Sequence, residues 1–355
     1  MKNRSFLRLL ALLLCLSLLP ALSACGKMSS ESSREVYAMD TVMTLTAYGP
    51  NAEAGLNAGE SIIISMDAML DPELDTSTVY RINHSFGSAV SIPGQMARMV
   101  QTAQTVYTQS NKLGVNSLEL TIYPLVKLWG FVNGSYYVPT EAEIAEKRAY
   151  LHFDQVVLNS FPSSGSYELS IPSDSEISFG AIAKGCTAAY VIDAMRNAGV
   201  TSGIISLGGN VQTLGLKPDG SLWRIGIADP NSPDNYLGIL TAGETAVVTS
   251  GSYQRNFTDP QTGKFYHHLI DPRSGRPADN SLLSVTVICE DGAMADALST
   301  ALFVMGESNA LRYWRTYGKD FQMILVNKSG EVVCTSGLIE EFSLENPNYT
   351  LRFSE

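Results

Sequence analysis

Phe179-Gly180-Ala181-Ile182-Ala183-Lys184-Gly185 opens a small-residue helix that the spacing predicts over Ala181–Ala198, and Gly203-Ile204-Ile205-Ser206-Leu207-Gly208-Gly209 follows as a strand running into two glycines. Gly199 stands where a helix C-cap favours the left-handed backbone. Downstream, short strands crowd together at Trp223–Ala228, Glu244–Thr249 and Leu283–Cys289. Helices at Gly292–Met305 and Ser308–Tyr317 precede a strand at Phe321–Val326. Upstream, Val36–Gly49 alternates apolar and polar residues like one half-buried strand, and a helix is predicted over Ala54–Leu70. Met96, Met99, Val100, Ala103, Val106 and Tyr107 recur at helical spacing within Gln95–Asn111. Thr140 with Glu143 forms a capping box for a short helix through Tyr150, and Phe153–Leu158 reads as a strand. No internal repeat or long linker divides these elements. The expectation is one compact α+β unit over residues 36–345, mixed and antiparallel sheets packed with helices.

The 355 residues are 45% hydrophobic and 17% charged, which supplies a sizeable core. Lys and Arg number 24 against 35 Asp and Glu; removing the first 24 residues, which hold Lys2, Arg4 and Arg8, leaves 21 against 35, a net charge of −14. A surface that acidic repels phosphate backbones and excludes nucleic acid as a partner. A phosphorylated ligand then needs a local site of metal, backbone amides or a few cations. The basic start and apolar run to about Leu22 are too short for a membrane span and fit a secretory signal over residues 1–24. Leu22-Ser23-Ala24-Cys25 resembles the lipobox of bacterial lipoproteins, in which Cys25 is lipidated; polar, Ser-rich residues 25–35 read as a flexible tether. The implied location is the extracytoplasmic face of a cell membrane, held by lipid. Cys186, Cys289 and Cys334 have no zinc spacing and read as buried small hydrophobes.

Four clusters could carry chemistry. His267-His268-Leu269-Ile270-Asp271-Pro272-Arg273-Ser274-Gly275 places two of the four histidines at a strand end entering a tight turn. An imidazole there suits a general base, although the same turn also accommodates two solvent-facing rings. Asp296 and Thr300 lie four apart on an apolar helix, so both oxygens share one face. A carboxylate in that setting needs a Lys, a hydrogen-bond network or a hard cation such as Mg²⁺. The Phe179–Gly185 segment offers a helix N-terminus and the point charge of Lys184 to an anion, without the spacing of a P-loop. Val247-Val248-Thr249-Ser250-Gly251-Ser252 offers amides and hydroxyls at another strand end, with Arg255 nearby.

In order along the chain, Met39-Asp40-Thr41, Ser117-Leu118-Glu119-Leu120-Thr121, Tyr123-Pro124-Leu125, Leu128-Trp129-Gly130-Phe131, Phe179–Gly185, Leu207-Gly208-Gly209-Asn210, Thr249-Ser250-Gly251, His268 with Ile270-Asp271-Pro272, and Ala295–Thr300 resemble the FAD:protein FMN transferase (ApbE) family. The resemblance spans roughly Met39 to Phe342. It implies the ApbE-type fold and a Mg²⁺-dependent transfer of FMN from FAD to a Thr or Ser hydroxyl of a target protein, AMP leaving. It also implies Asp296, Thr300 and the carbonyl of Ala181 as Mg²⁺ ligands and His268 as the catalytic base. Met39, Ser117, Leu118, Glu119, Ser178, Lys184 and Ile270 match FAD-contacting positions, and Thr249, Ser250, Gly251 and Arg255 are expected beside the pyrophosphate. The implied partner is a flavin-accepting protein, a subunit of a membrane or extracytoplasmic redox system.

The chain departs from the family pattern at Asp40, where the family has Gly, at Glu119 for Asp, and at Ser178 for Asp. Two other functions share parts of this site. An FAD pyrophosphatase would use water in place of the protein hydroxyl, and a non-enzymatic flavin-binding lipoprotein would show two similar hinged lobes.

Overall fold

The structure, a computed structural model, describes residues 30–355. Its frame is a nine-stranded sheet. The strands are β1 (Glu31–Ala38), β2 (Thr41–Tyr48), β3 (Gly203–Leu207), β4 (Asn210–Leu214), β5 (Ala246–Gly251), β6 (Leu282–Cys289), β7 (Phe321–Asn327), β8 (Glu331–Thr335) and β9 (Thr350–Ser354). They lie side by side in chain order. Every neighbouring pair is antiparallel except β8 with β9. Such a meander leaves the strand ends free to carry long insertions, and the chemistry sits in those insertions.

Between β2 and β3 run α1 (Ala52–Leu70), α2 (Gly94–Lys112), a three-stranded sheet of Val90–Ile92, Val157–Phe161 and Ser166–Ser170, and α3 (Ala183–Asn197). Between β6 and β7 lie α4 (Gly292–Met305) and α5 (Glu307–Tyr317). The helices cover one face of the main sheet, where Val248, Val285 and Val287 pack with Ala183, Cys186, Ala293, Ala297 and Ala301 in the largest core cluster. The opposite face is covered by the hairpin Trp223–Asp229/Ser232–Ala242, joined by Phe342–Leu344. There Trp223, Ile225 and Leu240 meet Val247, Ile288, Ile324 and Val332. Alternation along β5 therefore sends Val248 and Ser250 toward the helices and Val247 and Thr249 away.

Helix α4 is apolar on all sides because neighbours enclose it. Its start is fixed by Asp291, whose side chain accepts from the amides of Ala293 and Met294, and its end by Gly306 at φ 75°; an N-cap of this kind is worth about 1 kcal/mol. The Thr140/Glu143 capping box is present on the helix Glu141–Arg148. Cys186, Cys289 and Cys334 are free and buried.

Four expectations change. Val36–Gly49 is a hairpin, not one strand: Met39 (φ 49°) and Asp40 (φ 58°) make a two-residue turn between β1 and β2. Because β1 starts at Glu31, residues 31–35 belong to the sheet and not to a tether; at the other end β9 extends the domain past 345. Phe153–Gln155 is a 3-10 turn, and the strand begins at Val157. Helix α3 begins at Ala183, two residues later than its small-residue run. The signal segment and Cys25 lie outside the described residues.

Candidate active site

Helices α3 and α4 cross at two glycines. A Cβ on Gly185 would lie 2.1 Å from the Gly292 carbonyl oxygen and 2.5 Å from the Asp296 Cβ. A Cβ on Gly292 would lie 1.8 Å from Gln212 Nε2. Only glycine permits this approach. It brings Asp296, one turn along α4, onto the start of α3. The residue at the cap of α3 is Ile182, whose side chain has no acceptor. Asp296 acts in its place, accepting from the Gly185 amide through Oδ2 at 2.8 Å. An anion there also meets the positive end of the helix dipole.

That capping bond leaves the carbonyl of Ala181 without its usual helical donor, and no hydrogen bond reaches it among the described residues. Asp296 is 4% exposed. Burial pushes its carboxyl up, while the Lys184 charge and the amides of Gly185 and Lys184 pull it back. Among the described residues no Lys, Arg or His lies within ion-pair distance of Asp296, and Lys184 likewise pairs with no carboxylate. Thr300 lies one turn further, its Oγ1 3.2 Å from Ser250 Oγ. Ser250 is also 2.8 Å from Ser299 Oγ.

Among the described residues no three His, Cys, Asp or Glu side chains converge as a metal centre. Asp296 meets the start of α3 beside the donorless Ala181 carbonyl, and Thr300 follows it one turn along α4, so the oxygens on offer are a carboxylate, a hydroxyl and a carbonyl. This all-oxygen set fits a hard cation of the Mg²⁺ kind.

His268 follows the strand Phe265–His267. Its backbone amide (3.0 Å) and its ring Nδ1 (3.2 Å) both reach the Arg255 carbonyl oxygen. A carbonyl only accepts, so Nδ1 carries the proton and Nε2 keeps its lone pair. The ring is half-buried. Protein packed around it, and next the Lys184 charge, push its pKa down to about 3. Lys184 thus bears electrostatically on the imidazole and on Asp296 alike. Phe131 stands edge-on to His268, ring centroids 6.5 Å apart. Trp129 ties that loop to the histidine turn by donating from Nε1 to the Gly275 carbonyl at 2.9 Å.

His267 differs from its neighbour. It is 7% exposed, donates from Nε2 to the Ala278 carbonyl at 3.1 Å, and accepts the Leu269 amide at Nδ1 at 3.3 Å. Burial pushes its pKa down to about 4.

Residues 39–325 match the ApbE family. This chain belongs to the ApbE family. A relative from Klebsiella pneumoniae, named FAD:protein FMN transferase, is 36% identical over 77% of this chain and 82% of its own length. A relative of the same name from Vibrio cholerae is 29% identical over 73% of this chain and 78% of its own. Among solved structures, the apo flavinyl transferase ApbE of Pseudomonas stutzeri superposes with a TM-score of 0.76 at 27% identity, covering 90% of this chain and 99% of that one. The ApbE protein of Thermotoga maritima, at 24% identity, shares the fold with a TM-score of 0.78 over 87% of this chain and 98% of its own.

The other residues expected to contact FAD are placed as follows. Met39 sits in the β1–β2 turn, its amide donating to Asp67 Oδ1 at 2.8 Å. Asp40, where the family has Gly, tolerates its left-handed backbone and pairs with Arg255 at 2.8 Å. Ser117 is 2% exposed and its Oγ has no partner among the described residues. Leu118 packs in the main core. Glu119 turns inward and accepts from the Thr121 amide (3.1 Å) and hydroxyl (2.6 Å), its carboxyl pushed up by burial. Ser178 Oγ accepts the Gly180 amide at 3.3 Å, shaping the turn before Ala181. Ile270 is buried with Trp129 and Phe131. Gly251 has the Tyr253 ring against it, and a Cβ added there would lie 2.3 Å from the ring edge.

Thr249 is not brought to the cleft. Its hydroxyl meets Thr286 Oγ1 at 2.8 Å on the far face of the sheet, because strand neighbours point oppositely. Sequence reasoning missed Gln212, whose Nε2 donates to the Gly185 carbonyl at 3.1 Å. Asn210 also carries no role in the sequence reading, although it ends the string Leu207-Gly208-Gly209-Asn210; the two glycines are the stronger signal there, and they mask the polar residue after them.

Proposed function

We propose that this chain is an FAD:protein FMN transferase that moves FMN from FAD to a Thr or Ser hydroxyl of a partner protein, releasing AMP. The observations that carry the reading are the free Nε2 of His268 and a buried Asp296 held against the start of the helix that bears Lys184, with neither Asp296 nor Lys184 in an ion pair among the described residues. The acceptor hydroxyl oxygen attacks the phosphorus of the FMN half, a P–O bond forms to the protein, and the bond from that phosphorus to the bridging oxygen breaks. The bridging oxygen leaves with AMP, and His268 Nε2 takes the hydroxyl proton. Lys184 supplies a positive charge to the pyrophosphate. Asp296, Thr300 and the Ala181 carbonyl would hold Mg²⁺, which offsets phosphate charge and polarises phosphorus when bound.

Low basicity does not disable His268. The base need only accept a proton as the P–O bond forms, and a neutral ring is present at every physiological pH. The depressed value comes first from the protein packed around the ring and second from the Lys184 charge.

The lipobox-like Leu22–Cys25 supports the further proposal that the enzyme is lipid-anchored on the extracytoplasmic face of the membrane, with a redox-system subunit as acceptor. The test of the activity is covalent flavin fluorescence on a denatured acceptor domain after incubation with enzyme, FAD and Mg²⁺. Transfer by the wild type and its loss in His268→Ala support the reading; equal labelling by both refutes the role of His268. Free FMN and AMP with an unlabelled acceptor would identify a pyrophosphatase instead.

A further inference from the structure

Asn210 begins β4, is 1% exposed, and has no hydrogen-bond partner at either Oδ1 or Nδ2 among the described residues. A buried amide left without partners is costly, and each such group in a folded protein calls for a reason. Its position supplies one. Residues two apart on a strand share a face, and Gln212, two residues on, reaches the Gly185 carbonyl at the start of α3. Across the sheet Asn210 pairs with Val248. Two residues beyond Val248, Ser250 touches Thr300. The amide therefore lies on the helix-facing side of the sheet, flanked by the α3 start and by the Ser250–Thr300 pair.

We infer that Asn210 is a substrate-binding residue of this site, its Nδ2 donating to a phosphoryl oxygen of FAD and its Oδ1 accepting a hydroxyl of the adjoining sugar or sugar alcohol. The inference rests on the proposed use of FAD. Phosphate is an anion that Lys184, unpaired among the described residues, can attract, and it lacks the donor that Nδ2 supplies. The donor and acceptor of one primary amide then both find partners on one ligand. In the unliganded protein the same group is a source of instability, so the site trades stability for binding.

Asn210→Leu separates these two effects. It removes both polar atoms at nearly constant size, and the unliganded protein keeps or raises its thermal midpoint. Affinity is measured by flavin fluorescence in EDTA, where no turnover occurs, and repeated with ADP as a competing pyrophosphate probe. A hydrogen bond to a charged group is worth roughly 10- to 100-fold in affinity, so both ligands weaken by about tenfold or more. Asn210→Ser, which is smaller, serves if the leucine variant does not fold and shows the same direction. FAD and ADP affinities within twofold of wild type in a folded variant overturn the inference and leave the transferase reading intact. Failure of the wild type itself to bind FAD overturns both.

Discussion

Replacing Gly185 by Ala tests the crossing on which the cleft is built. The new methyl meets the Gly292 carbonyl at 2.1 Å and the Asp296 Cβ at 2.5 Å. Neither is the tip of a flexible side chain, so α3 and α4 must separate. Overpacking of this kind typically costs about 1–3 kcal/mol. Separation also stretches the 2.8 Å bond from the Gly185 amide to Asp296, and a hydrogen bond to a charged group contributes roughly 1.5–3 kcal/mol. The two losses share one displacement and do not add fully, so the expected destabilisation is about 2–4 kcal/mol. Differential scanning calorimetry should show a midpoint lower by roughly 3–6 °C, and FAD turnover should fall further than stability, because the carboxylate and the Ala181 carbonyl move apart. The control is Gly94→Ala, where the added methyl finds only the Tyr167 ring edge at 3.8 Å and alanine favours the helix. A Gly185→Ala protein with wild-type midpoint and turnover would refute the proposed crossing geometry.

Four further outcomes are expected. With His268 neutral down to about pH 3 in the unliganded protein, kcat/KM should show no acid limb near 6.5, the ordinary histidine value, and His268→Gln should lower it by roughly 10²–10⁴; a limb at 6.5 that vanishes in the variant would contradict the depressed value. His267 has a folded pKa of about 4, below its unfolded value, so stability is complete above pH 6.5 and is lost as pH falls toward 4, a contribution of about 3 kcal/mol; urea midpoints of His267→Gln should show a shallower acid decline than wild type. Asp296→Asn should keep the fold, since an amide oxygen can still accept from Gly185, yet lose Mg²⁺-stimulated turnover by roughly 100-fold; wild-type metal dependence would remove Asp296 from the ligand set. Cys25→Ala should shift the protein from the membrane to the soluble fraction, since acyl chains supply the anchor; an unchanged distribution would discount the lipobox.

The parts of the fold legible in sequence are those whose cause is local. Helix α4 has the expected bounds because an Asp cap, a continuous apolar run and a terminal glycine all agree. The β1–β2 turn is illegible because Met39-Asp40 carries neither the glycine nor the asparagine that marks such turns; its conformation goes with an Asp67 contact and an Arg255 ion pair from distant segments. Within the site, Asp296, Thr300 and Lys184 can be picked out as residue types in unusual places. The approach of Asp296 to the helix that bears Lys184 cannot, because it depends on Gly185 meeting Gly292 across two helices more than 100 residues apart in sequence. Thr249 misleads for a similar reason. The string Thr249-Ser250-Gly251 does not say which face is buried against the helices, and the alternation gives the cleft to Ser250. Nor does sequence distinguish His267 from His268. The distinction is made by the carbonyls of Ala278 and Arg255, one enclosing a ring and the other presenting it.

On the proposed function, this cleft couples breakage of the FAD pyrophosphate to formation of a protein–phosphate ester. The most direct measurement counts both in one reaction: AMP released, by chromatography, and flavin bound covalently to the acceptor, by intact-protein mass spectrometry. One acceptor-bound FMN is expected for each AMP, with both lost together in His268→Ala. AMP accumulating with free FMN and an acceptor of unchanged mass would contradict it.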